Sequence, residues 1–300
     1  MKSNTRRALR SMGTGDLVRK VLRRFTSPVL LARDVRRLFI DFRTDLIRLY
    51  AAYHQKRKTP GRVFRIRQRN CRMWLPISYG ETVAQRRFGT FEPWTFDTLD
   101  RIVRSGFVVV ELGACYGAFT IHLSRLVGPK GRVYAFEPFP KYFEIAERNV
   151  ALNALGNVRL LNLAVASPSI SSVDFRADSI SPYSGVEQIT GLDYSGRLED
   201  TKGVSTHSIA TVQCVPLLKF LSNERYTMDL LFMDIEGGEI NVLKNVRSLL
   251  CGEGKRPVVF FELHPQFYRS GDETWLYEFF EECGYSTERI SSHLLCTPRS

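Results

Sequence analysis

The sequence predicts an α/β fold, a mostly parallel sheet covered on both faces by helices. Three observations carry this reading. From about residue 107, apolar runs of strand length alternate with amphipathic runs of helix length. The first of these strands passes through a glycine-containing turn directly into a helix, as a ligand-binding strand–helix unit does. The chain then finishes "YSTERI", "SSH", "LLCT", a strand pair that closes the sheet as an antiparallel hairpin.

Composition bounds the reading. With 300 residues and 44% hydrophobic content, the chain can bury one sizeable core in one or two domains. Its apolar runs fall far short of the roughly 20 residues needed to cross a bilayer. Residues 1–28 lack a continuous apolar segment, so no signal peptide is expected and a cytoplasmic location follows. Cysteines 71, 115, 214, 251, 283 and 296 show neither C-x-x-C nor zinc spacing, and are read as isolated thiols in a reducing compartment.

The net charge of +12 is concentrated at one end: residues 1–70 hold 20 Lys+Arg against 4 Asp+Glu, and the remainder 23 against 27. Residues 1–59 form a basic extension in which Leu31, Val35, Leu38, Phe42, Leu46 and Leu49 recur at helical spacing. Such a helix could cap the body or a second copy of the chain, lie on an anionic membrane surface, or act as an organellar transit peptide. A nucleic-acid partner is disfavoured, because no recognition module accompanies the charge.

Residues 60–105 read as two short strands within "RVFRIRQRNCRMWLPI" and a helix ended by Gly106. From 106 to 300 strands are expected at 107–112, 132–136, 158–164, 211–215, 229–234, 257–263, 285–290 and 294–297. Helices are expected near 117–127, 140–152, 238–250 and 273–283. Segment 177–209, rich in Ser, Gly, Asp and Thr, reads as a long irregular loop that could close over an acceptor with Tyr183 and Tyr194.

Ligand chemistry in such sheets gathers at the carboxyl ends of the strands. The first tip, "VVVELGACYGAFT", carries Glu111, Gly113 and Gly117. The second, "VYAFEP", places Glu137 20 residues after Gly117, where an acid can take both ribose hydroxyls. The alternative is a helix N-cap carboxylate before Pro138. Together the two tips imply a nucleoside-containing ligand. A dinucleotide needs three glycines to cradle its pyrophosphate, whereas Glu111 beside only two favours an ammonium and sulfonium ligand, S-adenosylmethionine.

The ordered series "VVVELGACYGAFT", "VYAFEPFPKYFEIAERNVALNALGNVRLLNLAVAS", "VDF", "VQCVPLLKFL", "MDLLFMDIEGGEINVLKNV" and "VVFFELHP" resembles the FkbM family of S-adenosylmethionine-dependent methyltransferases, over about residues 90–290. The resemblance implies a class I (Rossmann-like) methyltransferase fold with a seven-stranded mostly parallel sheet and a C-terminal antiparallel hairpin. It also implies O-methylation of a hydroxyl on a saccharide, polyketide or related natural product. By position, Glu111, Gly113 and Gly117 would face the methionine part of the cofactor, Glu137 its ribose, and Asn162 or Ala164 its adenine. Asn149 and Asn153 match the family's helix asparagines and would touch ligand or buttress the helix end. The family's first motif usually has Asp where Glu111 stands and Asn where Cys115 stands, and often Lys at the position of Met233.

In "MDIEGGE", Asp234 follows the fourth strand of that sheet and is expected to orient cofactor and acceptor. Glu236 and Glu239 could bind acceptor or complement the helix dipole. In "FFELHP", Glu262 and His264 share one face of a strand, and His264 is a candidate general base. His122 should pack on its helix, and His54, His207 and His293 should face solvent. Asp234, Glu236, Glu262 and His264 could converge, but no dedicated ligand spacing is present and no metal is expected. The reading is therefore an O-methyltransferase acting on a small hydroxylated acceptor. Its rivals are a nucleic-acid methyltransferase using the basic extension, and a cofactor-binding scaffold without catalysis.

Overall fold

A computed structural model describes residues 62–66, 71–75, 91–178, 186–188, 207–224 and 227–299. The basic extension, most of segment 177–209 with Tyr183 and Tyr194, His54 and the side chain of His207 lie outside the described residues. The chain divides into two compact units, residues 1–70 with 74–91 and residues 71–73 with 92–300. Strands β1 (Arg62–Ile66) and β2 (Cys71–Leu75) make a two-stranded sheet, in which Met73 and Leu75 are buried.

The second unit is built on a seven-stranded sheet. Its members are β3 (Val108–Leu112), β4 (Arg132–Phe136), β5 (Val158–Leu161), β10 (Leu230–Met233), β11 (Val258–Glu262), β12 (Tyr285–Ile290) and β13 (His293–Pro298). They lie in the order β12-β13-β11-β10-β3-β4-β5. The five from β11 to β5 are parallel, and β13 runs antiparallel to both β11 and β12. The chain begins at the centre with β3, moves outward to β5, then returns on the other side of β3 at β10. That reversal makes the β3/β10 boundary the topological switch point, outside whose carboxyl ends ligands bind.

Sequence explains why these strands sit inside. Leu230 to Met233 and Val109 to Leu112 are buried on both faces, so they read as continuous apolar runs rather than alternating ones. Helices α1 (Pro93–Ile102), α2 (Ala118–Val127) and α3 (Pro140–Leu152) carry Phe96, Leu99, Phe119, Ile121, Leu123, Ile145 and Ala146 into the core. Helix α4 (Leu217–Glu224) adds Phe220, whose ring meets those of Tyr134 and Phe136 edge-on at 5.3 and 5.0 Å. Phe232 on β10 packs edge-on against Phe119 at 5.2 Å and stacks on Phe260 at 5.7 Å.

Some expectations are corrected. The strand expected over 158–164 divides at Asn162, whose amide donates to the carbonyls of Glu137 and Pro138 at 2.9 and 2.8 Å and so ties the tip of β5 to that of β4. Beyond it β6 (Ala164–Val165), β7 (Ser172–Asp178), β8 (Val186–Gln188) and β9 (His207–Val215) form a second sheet in the order β6-β9-β7-β8. The described ends of the expected irregular loop 177–209 are therefore strand. They flank a small core of Ala164, Val173 and Val212 that the polar composition conceals.

The helix expected over 238–250 is two, α5 (Glu239–Asn245) and α6 (Arg247–Leu250), separated at the wholly buried Val246 with φ −105° and ψ 14°. Helix α7 (Asp272–Glu282) precedes the hairpin. Cys251 and Cys283 are not isolated thiols: the ends of α6 and α7 meet with Cα atoms 4.3 Å apart and the two are joined as a disulfide. A separation of 32 residues carries no sequence signal for that pairing, and the cysteines no longer argue for a reducing compartment. Among the described residues, no helix is long and apolar enough to cross a membrane.

Because Phe232 fills the centre of the sheet between two ring partners, Phe232→Ala is expected to lower the unfolding free energy by about 3–5 kcal/mol. The check is a urea titration, in which the midpoint should fall while the slope stays that of the parent chain.

Candidate active site

The site begins with a backbone contact. Strands β3 and β10 end in register, Leu112 beside Met233, and the Asp234 N–H donates to the Leu112 carbonyl at 3.0 Å. Gly113, at φ +90°, follows so closely that a Cβ on it would stand 2.0 Å from the Asp234 carbonyl oxygen. Only glycine satisfies both conditions. The Gly113 and Ala114 N–H groups donate to the Phe136 carbonyl, both at 2.9 Å, and bind the turn to the tip of β4.

Glu137 completes that tie. Its carboxylate accepts from the Cys115 N–H at 2.7 Å and from the Phe139 N–H at 2.9 Å, just ahead of α3. Burial pushes its pKa up to about 8, against the pull of those two N–H groups and with a smaller push from Glu111. Glu111 lies under the turn, wholly buried, and among the described residues neither carboxylate oxygen makes a hydrogen bond. Burial raises its pKa to about 7, with the Thr120 hydroxyl and amide opposing.

The other predicted positions divide. Asn162 directs its amide to the backbone at the tip of β4, and Ala164 starts the second sheet beside Cys214. Asn149 donates to the Tyr116 carbonyl at 2.8 Å, so it buttresses the first loop from α3. Asn153 closes the end of α3, donating to the carbonyls of Arg72 and Asn149 at 2.7 and 2.8 Å.

On the other side of the switch point, four predicted residues come together. His264 follows β11, its side chain only 6% exposed, and its Nε2 lies 3.6 Å from Asp234 Oδ1, 3.7 Å from Glu236 Oε2 and 3.7 Å from Glu262 Oε2. Its Nδ1 meets Glu239 Oε1 at 3.1 Å. Glu239 is wholly buried, and the same oxygen accepts from the N–H groups of Ile235 and Gly237 at 3.2 and 3.3 Å while Tyr268 donates to Oε2 at 3.3 Å. It is therefore more than a carboxylate at a helix start: it orients His264. Glu236, at φ 52°, holds a left-handed conformation that non-glycine residues rarely adopt and that functional turns often store.

These charges shift one another. Burial raises the Asp234 pKa well above the usual carboxylate range, Glu262, Glu92 and Glu236 raise it further, and His264 opposes. Glu236 is raised by burial as well, again against His264. For His264, burial pulls downward, but the hydrogen bond to Glu239 and the charges of Glu239, Asp234 and Glu236 outweigh it and set the pKa at about 9.

The sequence reading missed Glu92, Thr95 and His293. His293 does not face solvent: it is 1% exposed, stacks on Phe260 at 5.0 Å, and its Nε2 stands 3.4 Å from Thr95 Oγ1 and 3.8 Å from Glu92 Oε2. Cross-strand pairing with Glu262 puts it there, and burial together with the charge on His264 lowers its pKa to about 4. His122 packs on its helix as expected, with Nε2 2.8 Å from Asp100 Oδ1.

The profile of the family described as "Methyltransferase FkbM domain" matches residues 111–287, which includes Glu111, Gly113, Glu137, Asp234, Glu236, Glu239, Glu262 and His264 but not Glu92, Thr95 or His293. The chain belongs to the FkbM methyltransferase family. Among curated relatives, the catalytic subunit TRM61 of tRNA (adenine(58)-N(1))-methyltransferase from Cryptococcus neoformans is 45% identical over 58 residues, 19% of this chain and 13% of that protein. Methyltransferase sdnD of Sordaria araneosa is 37% identical over 60 residues, 20% of this chain and 23% of that one. The chain thus spans less than a quarter of the length of either relative. Among solved structures, an O-methyltransferase from Bacillus cereus in complex with SAH is 16% identical, with a TM-score of 0.43 over 69% of this chain and 82% of that one. A SAM-dependent methyltransferase from Aquifex aeolicus is also 16% identical, with a TM-score of 0.38 over 70% and 90%.

The FkbM domain uses S-adenosylmethionine, and the first half of the site fits that ligand. Gly113 lets the turn pack directly on the Asp234 backbone, and the Gly113–Gly117 turn contains no cationic side chain to hold a pyrophosphate. The unpartnered buried carboxylate of Glu111 and the raised carboxyl of Glu137 supply acceptors, as an ammonium and two ribose hydroxyls require.

Both carboxyls have a consequence for stability. Below about pH 4.5 they are protonated folded and unfolded, and contribute no pH dependence. Between pH 4.5 and 8 the unfolded chain ionises them while the folded chain holds their protons, so stability falls as pH rises. Thermal unfolding of the ligand-free chain should show that fall, and Glu137→Gln should flatten it and raise the midpoint at pH 8.

Proposed function

We propose that this FkbM methyltransferase transfers the methyl group of S-adenosylmethionine to a hydroxyl of a small hydroxylated metabolite, a saccharide or polyketide-type natural product, lipid-linked forms included. The observation that carries the reading is the convergence of Asp234, Glu236 and Glu262 on His264, at the carboxyl ends of β10 and β11, next to the Gly113 turn. Oxygen acceptors in that density bind several donors at once, which suits a polyol. They repel a phosphodiester backbone.

S-adenosylmethionine supplies, when bound, a methyl group on a sulfonium. The rest of the chemistry falls to the chain. Gly113 and Gly117 give the turn two left-handed backbone positions, and Glu111 and Glu137 provide the acidic groups around it. Asp234 faces both halves of the site, because its backbone abuts Gly113 and its carboxylate faces His264. The acceptor hydroxyl donates its hydrogen to a carboxylate oxygen of Asp234, Glu236 or Glu262, and that oxygen takes the proton as the hydroxyl oxygen bonds the methyl carbon and the carbon–sulfur bond breaks. Proton removal of this kind is typically worth about 10²–10⁴ in rate. Glu239 keeps the His264 ring from turning, so the acceptor oxygen finds a fixed arrangement, and such alignment contributes further.

A nucleic-acid target keeps one support, the 58-residue match to a tRNA methyltransferase subunit. The acid-lined site argues against it. Incubation with methyl-labelled S-adenosylmethionine and, in parallel, saccharides, polyketide alcohols and tRNA separates the two. Label recovered in an alkali-stable ether supports the proposal, and label recovered only in RNA bases overturns it. With a competent acceptor, Glu236→Gln should lower kcat by about 10²-fold or more while leaving the Kd for S-adenosylmethionine within about threefold. Unchanged turnover in that variant would remove the cluster from the mechanism.

A further inference from the structure

We infer that His264 Nε2, Asp234 Oδ1 and Glu236 Oε2, with Glu262 Oε2 beside them, form a binding site for one divalent cation of the magnesium or manganese class. The inference deepens the acceptor-site reading, on which it rests for its role but not for its binding.

The distances are the first argument. His264 Nε2 stands 3.6, 3.7 and 3.7 Å from three carboxylate oxygens. Those separations are too long for hydrogen bonds, which place nitrogen and oxygen about 2.7–3.2 Å apart. They are ordinary for two ligands of one ion, since atoms bound at about 2.1 Å lie about 3.0–4.2 Å from each other. The ligand atoms of His264, Asp234 and Glu236 all fall within 4.8 Å of one another.

The ring itself is the second argument. His264 is more than nine-tenths buried, and among the described residues its Nε2 makes no hydrogen bond although it is aimed at the three carboxylates. Glu239 Oε1 holds Nδ1 at 3.1 Å, which leaves Nε2 as the ring edge turned toward the carboxylates of Asp234, Glu236 and Glu262. A histidine that donates its other nitrogen to a carboxylate is also the usual support of a metal ligand.

A neighbouring triad shows the contrast. Glu92, Glu262 and His293 also bring their ligand atoms within 4.8 Å of one another. There, however, Thr95 Oγ1 lies 3.4 Å from His293 Nε2 and donates to Glu92 at 3.0 Å, so a hydroxyl already bridges the pair. One imidazole and up to three carboxylates favour Mn²⁺ or Mg²⁺ over a thiolate-seeking metal. The ion's remaining positions would take oxygens of the acceptor.

The test uses Mn²⁺ alone on the full chain stripped with a chelator, by calorimetry and electron paramagnetic resonance. One Mn²⁺ per chain is expected, with an ¹⁴N coupling from an imidazole. Glu236→Gln and His264→Gln should each weaken binding at least tenfold, His264→Gln should remove the nitrogen coupling, and Glu273→Gln at the surface should change neither. Circular dichroism establishes that each variant is folded; Glu236 lies at the rim, so Glu236→Gln decides the matter if His264→Gln does not fold. Absence of stoichiometric binding up to millimolar Mn²⁺, or binding that survives both substitutions, overturns the inference. Methyl transfer without Mn²⁺ binding would end the metal site and leave the proposed function standing. Mn²⁺ binding without transfer to any hydroxyl would do the reverse.

Discussion

The approach of Gly113 to the Asp234 carbonyl is a contact of backbone on backbone, and it admits no adjustment by a rotamer. A methyl group at 113 would have to occupy space 2.0 Å from that oxygen. Two parallel strands can end this close only if the residue leaving one of them has no side chain. Once they do, Asp234 is fixed at the switch point, and the chain must turn sharply through Glu236, Gly237 and Gly238 before α5 begins. Gly237, at φ +100° and packed under Phe267, carries the second half of that turn. Glu239 then arrives beneath the strand ends, where its carboxylate caps the turn that delivered it and holds the ring of His264.

This arrangement gathers acids where folding alone would not. Burial raises the carboxyls of Glu111, Glu137, Asp234 and Glu236, so each is harder to ionise inside the protein than in water. Glu236 adds a left-handed backbone to a half-buried carboxyl. Such features weaken the folded state, and the surrounding aromatic core of Phe119, Phe232, Phe260 and Phe136 offsets them. Strain and like charge concentrated on one edge of a well-packed sheet mark a place kept for binding.

The sheet was legible because its strands are continuous apolar runs and its helices have clean ends; β4, α3 and β12 fall on the residues the pattern indicates. Asp234, Glu236, Glu262 and His264 were legible because each sits at a strand tip, where this topology collects chemistry. Glu239 could be named, but its partner could not, since a helix-start carboxylate and a histidine 25 residues on have no periodic relation. His293 was misjudged because its burial depends on which strand lies beside β11. That pairing, Glu262 opposite His293, belongs to the hairpin's register and not to any local pattern. The second sheet escaped for a related reason, as among the described residues it covers a small core of Ala164, Val173 and Val212, and polar residues such as Ser172, Asp174, Thr211 and Gln213 alternate with the apolar ones.

Glu262 stands between two imidazoles that the structure treats oppositely. His264, 3.7 Å from it, is driven toward a positive charge by Glu239, Asp234 and Glu236. Toward His293 burial prevails, His264 repels, and the ring stays neutral, bonded to Ser292 and Thr95 hydroxyls. The field of the acids is thereby satisfied at one point only, the Nε2 edge of His264, which is also the edge nearest Asp234 and the cofactor turn. An acceptor hydroxyl entering the site meets its fixed positive centre there, with carboxylates on three sides to take its hydrogen and a neutral second histidine behind that does not compete for them.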